Sequence, residues 1–114
     1  MSLDCVFCKI AAGELDSEIF YIDQEIVVLK DANPHAPTHL LILPVKHYAD
    51  LAEAAEKSPQ LLTTLLAKCA DLGQKIGGSR GFRVVINTGP DGGQTVNHLH
   101  FHLLAGRELQ WPPG

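Results

Sequence analysis

Short apolar runs punctuate the first third of the chain. Ile19–Ile22, Glu25–Asp31 and Thr38–Val45 are rich in Ile, Val and Leu and have the length of strands. Asp23-Gln24 tightly connects the first two, which predicts a hairpin. Pro34 and Pro37 break regular pairing in the loop Asn33–Pro37, and Pro44 ends the third run. Ahead of these strands, Val6 to Ala12 reads as a helical start stopped at Gly13. After them the period changes to that of a helix. "YADLAEAAEK" predicts a short one. Ser58-Pro59 opens a longer one, with Ser58 as N-cap and Pro59 in the first helical position. Its apolar residues at 61, 62, 65, 66, 69, 72 and 76 have the spacing of one helical face, and Gly77-Gly78 ends it. Gly81–Gly89 and Val96–Leu104 predict two more strands before the extended end "WPPG". Strands, then helices, then strands predict an α+β fold: an antiparallel sheet covered on one face by a helix.

No repeat or linker interrupts the pattern, so residues 1–114 read as a single domain. A net charge of −4 offers no electrostatic footprint for DNA or RNA. No apolar run approaches the roughly 20 residues of a membrane span. The opening "MSLDCVFCKI" lacks the basic segment and long apolar core of a secretory leader, so the expected location is cytoplasmic. In that compartment the pair Cys5 and Cys8, spaced C-x-x-C, points to metal or redox chemistry before a disulfide. Cys69 lies on the apolar helix face and reads as core.

The densest chemistry is in "QTVNHLHFHLLAGR", where His98, His100 and His102 alternate with Leu99 and Phe101. On a strand, alternate side chains share a face. The three imidazoles therefore project together, and Leu99, Phe101 and Leu103 project toward the helix. Three readings are open: a solvated polar face, a three-histidine metal site, or one nucleophilic or acid–base histidine with two helpers. The neighbours favour the last. Gly92 and Gly93 let backbone N–H groups approach an anion, and Thr95 adds a hydroxyl. Asn87 ends the strand expected to pair with the histidine strand. His39 shares a face with Leu41 and Leu43. Asp31 ends a strand, where a carboxylate acts as a turn former or grips ribose hydroxyls.

These residues resemble the histidine triad superfamily. "HLHFHLL" is similar to its His-x-His-x-His signature, and "DCVFCKIAAGE", "LKDANPHAPTHLLILPVKH", "RVVINTGPDGGQTVNHLHFHLLAGR" and "WPPG" resemble its Hint branch over nearly the whole chain. The resemblance implies a five-stranded antiparallel sheet with one long and one short helix, extended across a homodimer. It implies a purine nucleoside phosphoramidase that cleaves P–N bonds through a nucleotidyl-histidine on His100 and needs no metal for catalysis. His102 would hold phosphoryl oxygens and His39 would support the site. Gly93, Gln94 and Thr95 would line the phosphate seat, with Thr95 in place of the usual serine. Asn87 would position the substrate and Asp31 would hold the ribose. Val6, Phe7, Ile10 and Leu29 would line a purine pocket, and Trp111 would reach the partner's site. Some bacterial members bind a structural zinc through residues matching Cys5, Cys8, His47 and His98. The alternatives are a diadenosine polyphosphate hydrolase or nucleotidyl transferase on the same scaffold, a nucleotide-binding regulatory protein, or a zinc protein whose histidines serve metal alone.

Overall fold

The computed structural model describes residues 4–114. Its elements are α1 (Val6–Ala11), β1 (Ile19–Ile22), β2 (Ile26–Lys30), β3 (Thr38–Pro44), α2 (Leu51–Lys57), α3 (Pro59–Gly77), β4 (Arg83–Ile86) and β5 (Phe101–Ala105), with a turn of 3-10 helix at Gly78–Arg80. The strands form one antiparallel sheet in the order β1-β2-β3-β5-β4. The expected α+β architecture is present, with two short helices rather than one. No helix among the described residues is long and apolar enough to cross a membrane.

Strand alternation builds two cores. Ile26, Val28, Leu40 and Ile42 face one side with Leu99, Phe101 and Leu103, and meet Leu65, Cys69 and Leu72 of α3. Val27, Leu29, Leu41 and Leu43 face the other side, where α1 lays Phe7 and Ile10 over them. The histidine face is therefore half roofed by an apolar helix rather than open.

Three expectations need correction. The fifth strand begins at Phe101, not Val96, so His98 and His100 precede it. Pairing with β3 ends at Ile42–Phe101, and the Leu99 N–H goes instead to the Tyr48 carbonyl at 2.7 Å. Ser58 occupies the N-cap of α3, but its side chain makes no capping bond; its N–H closes α2 on the Ala54 carbonyl. The apolar face of α3 is narrower than its periodicity suggests. Leu65, Cys69 and Leu72 are buried, whereas Leu66 and Ile76 are exposed because the sheet covers only the middle of the stripe.

Candidate active site and metal cluster

His100 is buried, and its Nδ1–H donates to the His98 carbonyl at 2.8 Å. In the neutral ring that bond places the proton on Nδ1 and leaves the Nε2 lone pair open. The Phe7 ring stands edge-on to it, with centroids 5.1 Å apart. Phe7 thus blocks one direction in which the imidazole would swing.

A second proton chain runs beside it. The His35 backbone N–H donates to His39 Nδ1 at 3.1 Å, so His39 carries its proton on Nε2. This Nε2–H lies 2.9 Å from His102 Nδ1 and 3.4 Å from Asp31 Oδ2. His102 Nδ1 accepts, so its own proton sits on Nε2, as a donor free among the described residues. His100 and His102 thereby hold opposite tautomers, one with Nε2 bare and the other with Nε2 protonated, with centroids 5.1 Å apart.

Burial pushes His102 down to about 4 and lowers His39, with the neighbouring histidines adding to the effect and Asp31 opposing it. Both are neutral near pH 7. The unfolded chain then binds protons below its ordinary histidine value of 6.5 that the folded chain refuses. Stability should be full above that value and fall as pH drops from 6.5 toward 4. Denaturant titrations across that window should show a shallower decline for His102→Asn; equal slopes would remove His102 from the linkage.

A cleft of about 280 Å³ opens above the histidines. Phe7, Ile10 and Leu29 line its apolar end, and Asp31, Thr95, His100 and His102 its polar end. This is where those sequence-derived residues converge. Val6 does not join them: it points out beside His47 and Asn97 in a neighbouring groove, because helical spacing turns it away from Phe7 and Ile10. A larger groove near 480 Å³, lined by Phe20, Leu40 and Ile76, touches the site only through Lys30, Asp31 and His39 and holds no nucleophile. The sequence reading missed Leu41 and Val96 in the cleft wall. Leu41 was legible, since it alternates with His39 on β3.

The remaining candidates sit at the margins. Asn87 follows Ile86, the last β4 residue paired with β5, and does not line the cleft that holds His100. Gln94 is a loop brace. Its Oε1 accepts from the Gly89 N–H, and its amide donates to the Ala49 and Val96 carbonyls at 2.7 and 3.0 Å. Its side chain has no donor proton left over for substrate. Gly93 has φ +85°, which favours glycine. Gly92 is glycine for another reason: a Cβ there would lie 2.2 Å from the Thr88 carbonyl oxygen. Gly92→Ala should cost about 1–3 kcal/mol by forcing the loop open, measured by urea unfolding; an unchanged midpoint would show the loop relaxes freely. Trp111 is 81% exposed and makes no contact with this chain's own cleft.

Near His100 in the chain, His98 belongs to a second constellation. Cys5 Sγ is 3.2 Å and Cys8 Sγ 3.5 Å from His98 Nδ1, and Cys8 Sγ is 3.3 Å from His47 Nδ1. All four ligand atoms lie within 4.8 Å of one another. A tetrahedral zinc with ordinary Zn–S and Zn–N bonds needs sulfur–nitrogen edges of about 3.5 Å. The cluster has that size and a two-thiol, two-imidazole donor set. Its outer shell fits as well: His98 Nε2–H donates to the Pro44 carbonyl at 2.8 Å, leaving Nδ1 free to ligate. Burial and the adjacent Cys5 push the Cys8 thiol up to about 11, a cost that a bound cation would reverse. Asp31, His39 and His102 also bring their ligand atoms within 4.8 Å. They fail the same test, because His39 Nδ1 accepts a hydrogen bond and Nε2 must keep its proton.

The HIT domain matches residues 12–109. The chain belongs to the HIT family. A HIT-like protein of Synechococcus elongatus is 46% identical over 114 residues, the whole of both chains. The crystal structure of a HIT family hydrolase from Legionella pneumophila superimposes with a TM-score of 0.92 at 43% identity, over 97% of this chain and 100% of that one. A zinc-bound histidine triad family protein from Mycobacterium smegmatis superimposes with a TM-score of 0.82 at 28% identity, over 94% and 78%. This HIT protein therefore has a Cys5–Cys8–His47–His98 cluster able to hold zinc and a related structure that carries the metal.

Proposed function

We propose that this HIT protein is a hydrolase of the Hint branch, a purine nucleoside phosphoramidase acting on P–N bonds. The observation that carries the reading is the opposed tautomer pair: His100 with Nε2 bare, and His102 with Nδ1 occupied by His39. The purine would enter between Phe7, Ile10 and Leu29, and the ribose hydroxyls would meet Asp31. His100 Nε2 attacks the α-phosphorus. The P–N bond breaks, and its electron pair leaves with the amine, which takes the Thr95 hydroxyl proton as Thr95 regains one from solvent at the cleft mouth. The His102 Nε2–H and loop N–H groups near Gly93 hold the phosphoryl oxygens as charge builds. Water then cleaves the phosphorus–histidine bond, releasing the nucleoside monophosphate and restoring His100. Zinc in the four-ligand cluster would serve structure, since a closed Cys₂His₂ set leaves no open position for substrate.

The same reading takes the protein as a homodimer whose sheets join, with Trp111 reaching the partner's cleft. Support comes from the open edge of β4 and from the exposure of Trp111 and Leu66. We place it in the cytoplasm, where its three free cysteines stay reduced.

Adenosine 5′-phosphoramidate and AMP linked to a lysine amine should release AMP faster than diadenosine polyphosphates do. The check is kcat/KM on both classes. Faster P–O–P cleavage would make the protein a dinucleotide hydrolase, and binding without turnover would make it a nucleotide-binding regulator.

A further inference from the structure

Asp31 and His39 are both held by the loop that joins them. Residues 32–37 connect β2 to β3 and form no regular element. Within them the Asn33 N–H donates to Asp31 Oδ1 at 2.8 Å, and the His35 N–H donates to His39 Nδ1 at 3.1 Å. The second bond governs the proton chain. It keeps the His39 proton on Nε2, facing His102 Nδ1 at 2.9 Å. Without it His39 can carry its proton on Nδ1. His102 would then have to donate from its own Nδ1, and its Nε2 would present a lone pair instead of a proton.

Proline stiffens this loop everywhere but at one residue. The rings of Pro34 and Pro37 fix φ at those positions. Asn33 and Ala36 each precede a proline, which confines them to extended backbone. From 33 to 37, His35 alone has neither restriction. Its two main-chain groups lie on separate peptide planes that turn about its own Cα. The N–H holds His39. The carbonyl accepts from Arg107 Nε–H at 2.8 Å, and Arg107 Nη1–H donates to the Glu108 carbonyl at 3.2 Å. The guanidinium thus ties the swivel of the loop to the chain that follows β5. The loop also rests directly on that chain: a Cβ on Gly106 would fall 2.8 Å from Pro37 Cβ, and Gly106 has φ +101°.

We infer that Arg107 is a positioning residue: by holding the His35 carbonyl it fixes the His35 N–H on His39 Nδ1, and through His39 it keeps the His102 proton on Nε2. Arg107 is exposed and does not line the cleft, so it acts only through the loop. Its part in turnover rests on the phosphoramidase reading, in which His102 donates to the phosphoryl group. Its hold on the two rings does not.

The test uses full-length protein with ¹⁵N-labelled histidines, as wild type, Arg107→Ala and Arg83→Gln. Two-bond ¹H–¹⁵N couplings identify the protonated nitrogen of each ring. In the wild type His39 and His102 should each be a single Nε2–H tautomer. In Arg107→Ala the two nitrogens of each ring should move toward a common averaged position. Arg83 Nη2 holds the Gln110 carbonyl at 3.0 Å, farther along the same segment, so Arg83→Gln loosens that segment without freeing His35 and should leave both rings as in the wild type. On adenosine 5′-phosphoramidate, Arg107→Ala should lower kcat by about ten- to a hundred-fold, the scale of a small misplacement of a reacting group, with AMP affinity unchanged. Rings averaged already in the wild type, or still single tautomers in Arg107→Ala, overturn the inference. So does averaging in Arg83→Gln equal to that in Arg107→Ala, or a kcat that stays at the wild-type level while the rings average. Averaged rings in Arg107→Ala beside a wild type that hydrolyses no phosphoramidate would uphold the hold of Arg107 on the rings and count against the phosphoramidase reading alone.

Discussion

Alanine at His100 should lower kcat on a nucleoside phosphoramidate by about 10⁴-fold or more, the scale on which nucleophile deletions fall. Nucleotide binding should survive. The apolar end of the cleft is built by Phe7, Ile10 and Leu29, and Asp31 lies at its polar end, none of which needs the His100 ring. The fold should survive as well, because Leu99 and Phe101 on either side anchor in the α3 core with 1% and 0% exposure. Single-turnover hydrolysis and equilibrium AMP binding would check both halves. Turnover within a few-fold of wild type would move the nucleophile elsewhere. His102→Ala should be milder: in the proposed mechanism it removes only the Nε2–H donor that His39 sets and leaves His100 in place.

The second large effect is on stability. The purified protein should hold one zinc per chain, and a strong chelator should lower its Tm by about 15 °C. An ion present at about 1,000 times its Kd contributes roughly 4 kcal/mol, and each kcal/mol moves Tm by about 4 °C in a domain near this size. The cluster ties the start of α1, the chain after β3 and the chain before β5, which are far apart in sequence. Losing the ion therefore loosens three segments at once. Cys5→Ser with Cys8→Ser should lower Tm similarly and abolish the response to chelator. Cys69→Ser is the contrast: it is buried against the sheet and away from the cluster, so it should lose stability and keep its metal. A metal-free protein with unaltered Tm would show that the hydrogen bonds among the thiols and imidazoles suffice.

Much of the site was legible because it depends on local periodicity. Extended backbone sends alternate residues to opposite faces whether or not a ladder forms. His98, His100 and His102 therefore part from Leu99, Phe101 and Leu103 even though the regular strand starts only at Phe101. The C-x-x-C spacing works for a related reason. Cys5 caps α1, and the Cys8 N–H reaches back to its sulfur at 3.2 Å, so one helical turn sets both thiols side by side. The fates of Val6, Gln94, Leu66 and Ile76 were not legible. Periodicity ranks residues by face, but the area that the opposing layer covers decides which of them stay in water.

The residue types and their spacing determined the chemistry on offer: three imidazoles on one face, two thiols on one turn, and glycines in the loop before them. Tertiary structure decided the role of each imidazole. His98 keeps Nδ1 for the cluster because Pro44 takes its other nitrogen, His100 bares Nε2 because the His98 carbonyl holds Nδ1, and His102 donates because His39 fills its Nδ1. Two of these three assignments come from main-chain carbonyls, and the third comes from a ring whose own tautomer is set by the His35 N–H. Every residue carries such backbone groups, so they leave no mark in a sequence. Only the folded chain determines which imidazole nitrogen each of them meets.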